Sequence, residues 1–207
     1  MIKAFLFDIG KVLLNFDYQQ AVDHVRAKSP LSSEQIRTAI GHFHIPLETG
    51  AISTGTFLEQ AIQATQYGGA AEEFAAGYCD IFTLNQPMWE LVDALRKNFP
   101  LYLFSNTSDL HWDFIQAKFP QFAGFTDGVF SMRVKAMKPE RAIYEAALVL
   151  TEAEAGELFY IDDLAANIDA ARALGFHTHL YESSAHDALL ASLATAGIRE
   201  NARGFPL

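Results

Sequence analysis

The stretch FLFDIGKVLLNFD, residues 5–17, runs apolar through Phe5, Leu6 and Phe7 and then meets a carboxylate at Asp8. With Ala4 in front, the run has strand length and does not alternate, the pattern of a strand covered on both faces. Two later runs repeat it. Leu101-Tyr102-Leu103-Phe104 ends at Ser105-Asn106, and Leu158-Phe159-Tyr160-Ile161 ends at Asp162-Asp163. His177-Thr178-His179-Leu180 is a weaker fourth strand. Helical periodicities lie between these runs. Met88, Leu91, Val92 and Leu95 mark one face over 87–98, opened by Pro87, and Ile143, Ala146, Ala147 and Leu150 mark 140–150 behind Pro139. The Ala-rich stretch 164–174 stops at Gly175, a residue suited to a left-handed cap. Strand–helix alternation of this kind predicts an α/β fold, a parallel sheet with helices on both faces.

Residues 17–85 read differently. Helical patterns cover 19–28, 33–40, 56–65 and 70–81, with no clear strand among them. Because this segment follows the first strand directly, it is expected to be a helical insertion capping one edge of the sheet. The core is then 1–16 plus 86–207. A chain of 207 residues suits one domain with such an elaboration.

Composition narrows the partners. Fifteen basic against 25 acidic residues give a net charge of −10, which disfavours nucleic acid or an anionic membrane. A small anion in a locally positive pocket remains compatible. The single cysteine, Cys79, cannot form an internal disulfide, which fits a reducing cytoplasm. No stretch approaches the roughly 20 apolar residues of a membrane span, and the N-terminal run is too short for a signal peptide.

In a parallel sheet all strand C-termini lie on one edge, where ligands bind. Three runs here end in polar residues: Asp8, Ser105-Asn106 and Asp162-Asp163. Any one ending could be a helix cap; together they bring three carboxylates to one edge. Clustered carboxylates raise one another's pKa or bind a cation, and a hard divalent ion such as Mg²⁺ would resolve the repulsion and bridge to a phosphate. Lys138 stands just before Pro139-Glu140 at an expected helix start, where its charge opposes the dipole. A bound anion would remove that conflict.

At these residues the sequence resembles the haloacid dehalogenase superfamily, in the branch of phosphatases with a helical cap after the first strand. FLFDIGKVLLNFD resembles the nucleophile motif, with Asp8 as the attacking carboxylate. LYLFSNTSDLH is similar to the second motif, in which Ser105 and the Asn106 backbone grip the phosphoryl group. SMRVKAMKPERAIYEAAL resembles the third and places Lys138 on nucleophile and phosphate. LFYIDDLAANIDAARALGF resembles the fourth, with Asp163 a metal ligand, Asp162 beside it and Asn167 bracing the loop. The resemblance implies a doubly wound, Rossmann-like core. It also implies a Mg²⁺-dependent phosphatase acting on a small phosphorylated metabolite through an aspartyl-phosphate.

One position departs from the family pattern. A second aspartate two residues after the nucleophile usually serves as general acid and base, and here Gly10 stands there. Its carbonyl could still ligate metal. A subgroup that includes sugar-1-phosphate phosphatases shares this glycine. Loss of an acid bears on proton transfer, typically worth about 10²–10⁴-fold. Leaving groups needing little protonation, such as anomeric, aryl or acyl phosphates, are therefore the expected substrates. Asp17, His44 and His111 are the residues that could replace the acid. In the segment 42–50, Glu48 and Gly50 resemble the family's substrate-selecting cap segment, and His44 lies beside them. A plainer reading makes this segment a turn, with Gly50 left-handed and Glu48 capping the next helix. Tyr18 and Trp89 read as packing. Two other functions compete: a metal-free 2-haloacid dehalogenase, against which Asp162-Asp163 speaks, and a catalytically weak phosphate-binding regulatory module.

Overall fold

The computed structural model describes residues 1–198. Its strands are β1 (Ala4–Phe7), β2 (Leu14–Phe16), β3 (Phe82–Leu84), β4 (Leu101–Ser105), β5 (Asp127–Phe130), β6 (Leu158–Asp162) and β7 (His177–Leu180). Five of them form a fully parallel sheet in the order β5-β4-β1-β6-β7, while β2 and β3 make a separate antiparallel ribbon. From β1 the chain builds outward to β4 and β5, then returns to build β6 and β7 on the other side. This is the doubly wound order, and its switch point lies between β1 and β6.

The non-alternating apolar runs follow from burial on both faces. Phe5 and Phe7 point to one layer with Leu103, Phe159 and Ile161, whereas Ala4 and Leu6 point to the other with Phe104 and Tyr160. Helices α1 (Tyr18–Arg26), α2 (Ser33–Gly41), α3 (His44–Glu48), α4 (Thr54–Thr65) and α5 (Ala71–Cys79) precede β3. Later come α6 (Gln86–Leu95), α7 (Asp109–Lys118), α8 (Ser131–Val134), α9 (Arg141–Thr151), α10 (Ala165–Ala173) and α11 (His186–Thr195). Ile143 and Ala147 of α9 and Ile168 and Ala171 of α10 cover one sheet face. The opposite face is continuous with the apolar interior of α1, α2, α4 and α5, through Val25, Ile36, Phe57 and Phe74.

Sequence and structure differ in several elements. The segment 17–85 was expected to lack a strand, yet Phe82–Leu84 pairs with Leu14–Phe16 in the register Leu14↔Leu84 and Phe16↔Phe82. Three residues per strand are too few to leave a period-two signal. Strand β5 also escaped the reading, because an edge strand beginning Asp127-Gly128 has only two apolar residues. The stretch 42–50, for which a turn was one of two readings, contains the short α3. Gly50 is left-handed there, at φ 62°, but the following helix is capped by Ser53, not Glu48. Gly175 closes α10 at φ 93°. Residues 199–207 of the expected core segment lie outside the described residues. Among the described residues, no helix is long and apolar enough to cross a membrane.

The helical segment is bolted to the sheet at one buried hydroxyl. Ser131 Oγ accepts from the Thr107 N–H at 3.0 Å and lies 2.6 Å from the Glu48 carbonyl. Lys135 Nζ adds a hydrogen bond to the Gly50 carbonyl at 3.1 Å. Glu48 and the loop after β4 are thereby held at a fixed separation.

Candidate active site

Parallel pairing brings the ends of β1, β4 and β6 to one edge. Asp8 follows β1, and its N–H donates to the Ile161 carbonyl of β6 at 3.0 Å. Ser105 ends β4 and Asp162 ends β6. Between them stands the Lys138 ammonium, 2.8 Å from Asp8 Oδ1, 2.7 Å from Asp162 Oδ2 and 2.8 Å from the Phe104 carbonyl. The Asn106 amide fixes its backbone from both sides. Lys138 N–H donates to Asn106 Oδ1 at 2.8 Å, and Asn106 Nδ2 donates to the Lys138 carbonyl at 3.0 Å. The expected conflict with a helix dipole is thus settled differently. Helix α9 begins at Arg141, and two buried carboxylates of the chain itself meet the lysine charge.

The adjacent aspartates differ sharply. Asp162 is wholly buried and accepts from Lys138, from the Tyr160 hydroxyl, from the Leu164 N–H at 2.8 Å and from Asn167 Nδ2 at 3.1 Å. Its lone pairs are committed. Asn167 is held in turn, its carbonyl accepting from the Tyr144 hydroxyl at 2.9 Å. Asp163 faces the cavity and has Lys11 Nζ at 3.5 Å.

These surroundings set the protonation. Burial pushes Asp8 up to about 6, against the pull of Lys138, and the Asp162 charge raises it further. Burial also acts to raise Asp162, but the Lys138 ammonium and the donated hydrogen bonds outweigh it and hold Asp162 low. Burial and the Asp162 charge raise Asp163. Burial tends to lower Lys138; the Asp8 and Asp162 charges overcome this and keep it protonated.

Oxygens of Asp8, Asp162 and Asp163 lie within 4.8 Å of one another. With Asp162 committed, Asp8 and Asp163 are the carboxylates free to hold a cation. Gly10 lines the same cavity and can add a carbonyl. An all-oxygen donor set of this kind fits a hard divalent ion.

The cavity has a volume of about 260 Å³. Gly10, Ser105, Asn106, Lys138, Asp163 and Asn167 line it, as do Glu48 and His111. His44 does not. It stands 3.9 Å from Glu48 and packs on Tyr18 at 5.2 Å, in a neighbouring apolar hollow. Asp17 lies outside as well, capping α1 by accepting from the Gln19 N–H. Several lining residues were not read as cavity residues in the sequence, among them Lys11, Phe16, Thr107 and Tyr18. Thr107 and Lys11 sit inside quoted motifs. Phe16 and Tyr18 looked like packing, and they do pack on each other at 5.1 Å. Trp89 is core, its indole N–H donating to the Leu13 carbonyl at 2.9 Å.

A family model for haloacid dehalogenase-like hydrolases matches residues 2–175. The chain belongs to that family. Among its haloacid dehalogenase-like relatives, the D-ribitol-5-phosphate phosphatase of Bacteroides thetaiotaomicron is 25% identical over 201 residues, spanning 89% of this chain and 94% of its own. A crystal structure of a haloacid dehalogenase family enzyme from the same organism superposes with a TM-score of 0.80 at 25% identity, covering 88% of this chain and 94% of the other. The same enzyme in complex with magnesium and inorganic phosphate gives a TM-score of 0.77 at 24% identity, covering 88% and 96%.

Within this member of the family, Phe16 occupies the space above Gly10. A Cβ at position 10 would lie 2.9 Å from Phe16 Cε1. Gly10→Ala should therefore destabilise by about 1–3 kcal/mol in urea unfolding, less in a Phe16→Leu background; additive effects would contradict the clash. Lys138→Met should cost about 3–5 kcal/mol at pH 7.5, because it strands two buried carboxylates. Without the ammonium both carboxyls have raised pKa values, so protonation stabilises the fold and the deficit should shrink towards pH 5. A deficit independent of pH would contradict this account of the lysine.

Proposed function

We propose that this chain is a Mg²⁺-dependent phosphatase that hydrolyses a small phosphorylated sugar or polyol through an aspartyl-phosphate on Asp8. The observation carrying this reading is the convergence of Asp8, Ser105, Lys138 and Asp163 on one cavity at the switch point of the sheet. Residues 17–85 are read as the cap, and 1–16 with 86–207 as the catalytic core. The sugar or polyol class rests on the D-ribitol-5-phosphate phosphatase relative and on Gly10, the glycine by which the sequence resembles the subgroup that includes sugar-1-phosphate phosphatases.

Asp8 is the nucleophile. Lys138 holds its Oδ1 and fixes the side chain, so that a carboxylate oxygen attacks phosphorus while the ester P–O bond breaks. Ser105 and the backbone at Asn106 bind the phosphoryl oxygens. Water then attacks the acyl-phosphate, releasing inorganic phosphate and restoring the carboxylate. Mg²⁺, held by Asp8, Asp163 and the Gly10 carbonyl, supplies neutralisation of the phosphoryl charge when bound. Asp162 takes no part as a ligand; it orients Lys138, and Asn167 braces it. Glu48 and His111 stand on the leaving-group side, with His44 positioning Glu48. No carboxylic acid side chain projects from position 10, so the leaving group departs with little side-chain assistance. Anomeric phosphates should therefore react faster than primary ones.

Hydrolysis of p-nitrophenyl phosphate with Mg²⁺ tests the reading. Turnover should vanish with EDTA, return with Mg²⁺, and fall to background in Asp8→Asn. Activity surviving that substitution would remove Asp8 from the reaction. The raised pKa of Asp8, about 6, makes protons and metal compete for it. The rise in Tm produced by Mg²⁺ should be large at pH 7.5 and small at pH 5. A shift constant across that range would place the metal elsewhere.

A further inference from the structure

We propose that Lys11 is the resident counter-ion of Asp163, displaced when Mg²⁺ binds and then left to draw an anion into the cavity, so that one side chain couples metal binding to phosphate binding. The inference rests on the phosphatase reading and adds to it an order of binding, metal before anion.

Lys11 occupies an unusual place. It lies in the turn after Gly10 with φ 55°, a left-handed conformation that a lysine adopts only at a cost. The other non-glycine residues with positive φ among those described are Gln66, Lys135 and Glu152, and each of these closes a helix. Lys11 closes none. Its N–H donates to the Leu14 carbonyl at 2.6 Å, which fixes the turn and with it the point from which the side chain departs. Nζ stands over the Phe16 ring, 5.8 Å from the centroid, and 3.5 Å from Asp163 Oδ2.

The two partners are unequally placed. The Asp163 side chain is 15% exposed and that of Lys11 59%. Their contact is therefore a loose one between a held carboxylate and an accessible cation. Both residues line the catalytic cavity and a second, polar hollow beside it, so the ammonium has room to part from its partner. Lys138 is the contrast, a buried ammonium fixed at 2.8 Å and 2.7 Å by two carboxylates. Asp8 and Asp163 together offer a divalent ion carboxylate oxygens within 4.8 Å of one another, against the single contact that Lys11 makes. Asp163 thus exchanges the ammonium for the ion, and the two cations repel each other. Before the exchange, the Asp163 charge cancels that of Lys11 and opposes an anion. Afterwards Lys11 stands at the cavity wall beside Phe16 with its charge uncancelled, and it adds to the attraction for phosphate.

Isothermal titration calorimetry at pH 7.5 and low ionic strength tests this on wild type, Lys11→Met, Lys11→Gln and Lys11→Arg. Each is titrated with MgCl₂ alone, and then with inorganic phosphate at saturating Mg²⁺. Both neutral variants should bind Mg²⁺ roughly threefold more tightly than wild type, the scale of one screened charge beside a divalent ion, and phosphate weaker by a similar factor. Lys11→Arg, which keeps the charge, should stay within about twofold of wild type for both ligands. The opposite signs are the signature, because a merely structural defect would weaken both. An unchanged or weakened Mg²⁺ affinity in the neutral variants overturns the inference. So does phosphate that wild type binds no better than they do. Either result, with Mg²⁺ still bound by wild type, leaves the phosphatase reading standing. A wild-type protein that binds no Mg²⁺ overturns both.

Discussion

A single buried ammonium organises the reactive edge of this protein. Asp8 and Asp162 come to the same place because their strands are neighbours in a parallel sheet, and neither carboxylate has enough water there to stay charged alone. Lys138 makes their proximity tolerable by touching both. Its position depends in turn on the loop after β4, since the Asn106 side chain clamps the Lys138 backbone by two reciprocal hydrogen bonds. Three separate segments of chain are therefore coupled by one charge. A shift of any would leave a buried charge unmatched, a far larger penalty than the loss of a surface ion pair.

The same coupling divides labour between two consecutive aspartates. Alternation along β6 sends Asp162 inward, where Lys138, Tyr160, Leu164 and Asn167 saturate it. Asp163 falls just beyond the strand, turned to the cavity, with only Lys11 nearby. One carboxylate becomes part of the scaffold and the next stays available to a cation. The acceptor count decides this, since an oxygen already receiving two or more hydrogen bonds has little left to offer a metal.

Much of this edge was legible in the sequence because its signals are local. A strand buried on both faces reads as an unbroken apolar run, so β1, β4 and β6 and the polar residues ending them stood out at Asp8, Ser105 and Asp162-Asp163. Elements whose identity comes from a distant partner did not. The ribbon of Leu14–Phe16 with Phe82–Leu84 exists because residues 66 or more positions apart pair, and three-residue strands carry no pattern of their own. Position in the cavity was legible for floor residues and poorly so for its walls. His44 and Glu48 are one helical turn apart, yet only Glu48 lines the cavity, because α3 turns His44 towards Tyr18. No one-dimensional signal distinguishes those two directions. Tyr18 and Phe16 show the converse: aromatic residues that pack and line a cavity at once look only like packing in a sequence.

The ribbon also bears on the glycine that departs from the family pattern. Gly10 bridges to Leu14, and the Lys11 N–H donates to the Leu14 carbonyl at 2.6 Å, a tight return that leads directly into β2. That return swings Phe16 over position 10, where Tyr18 and Phe82 support its ring edge-on. Space that an acidic side chain would need is filled by an aromatic ring. Gly10 and Phe16 thus form one structural unit, and the departure at position 10 is steric as well as chemical. Replacing the glycine with aspartate alone would place a carboxylate against the ring rather than beside a leaving group. With that position closed, Glu48 of α3 and His111 of α7 are among the polar residues that remain along the cavity lining. Fold and chemistry meet at this point: the turn that starts the ribbon puts an aromatic ring where an acidic side chain would otherwise stand.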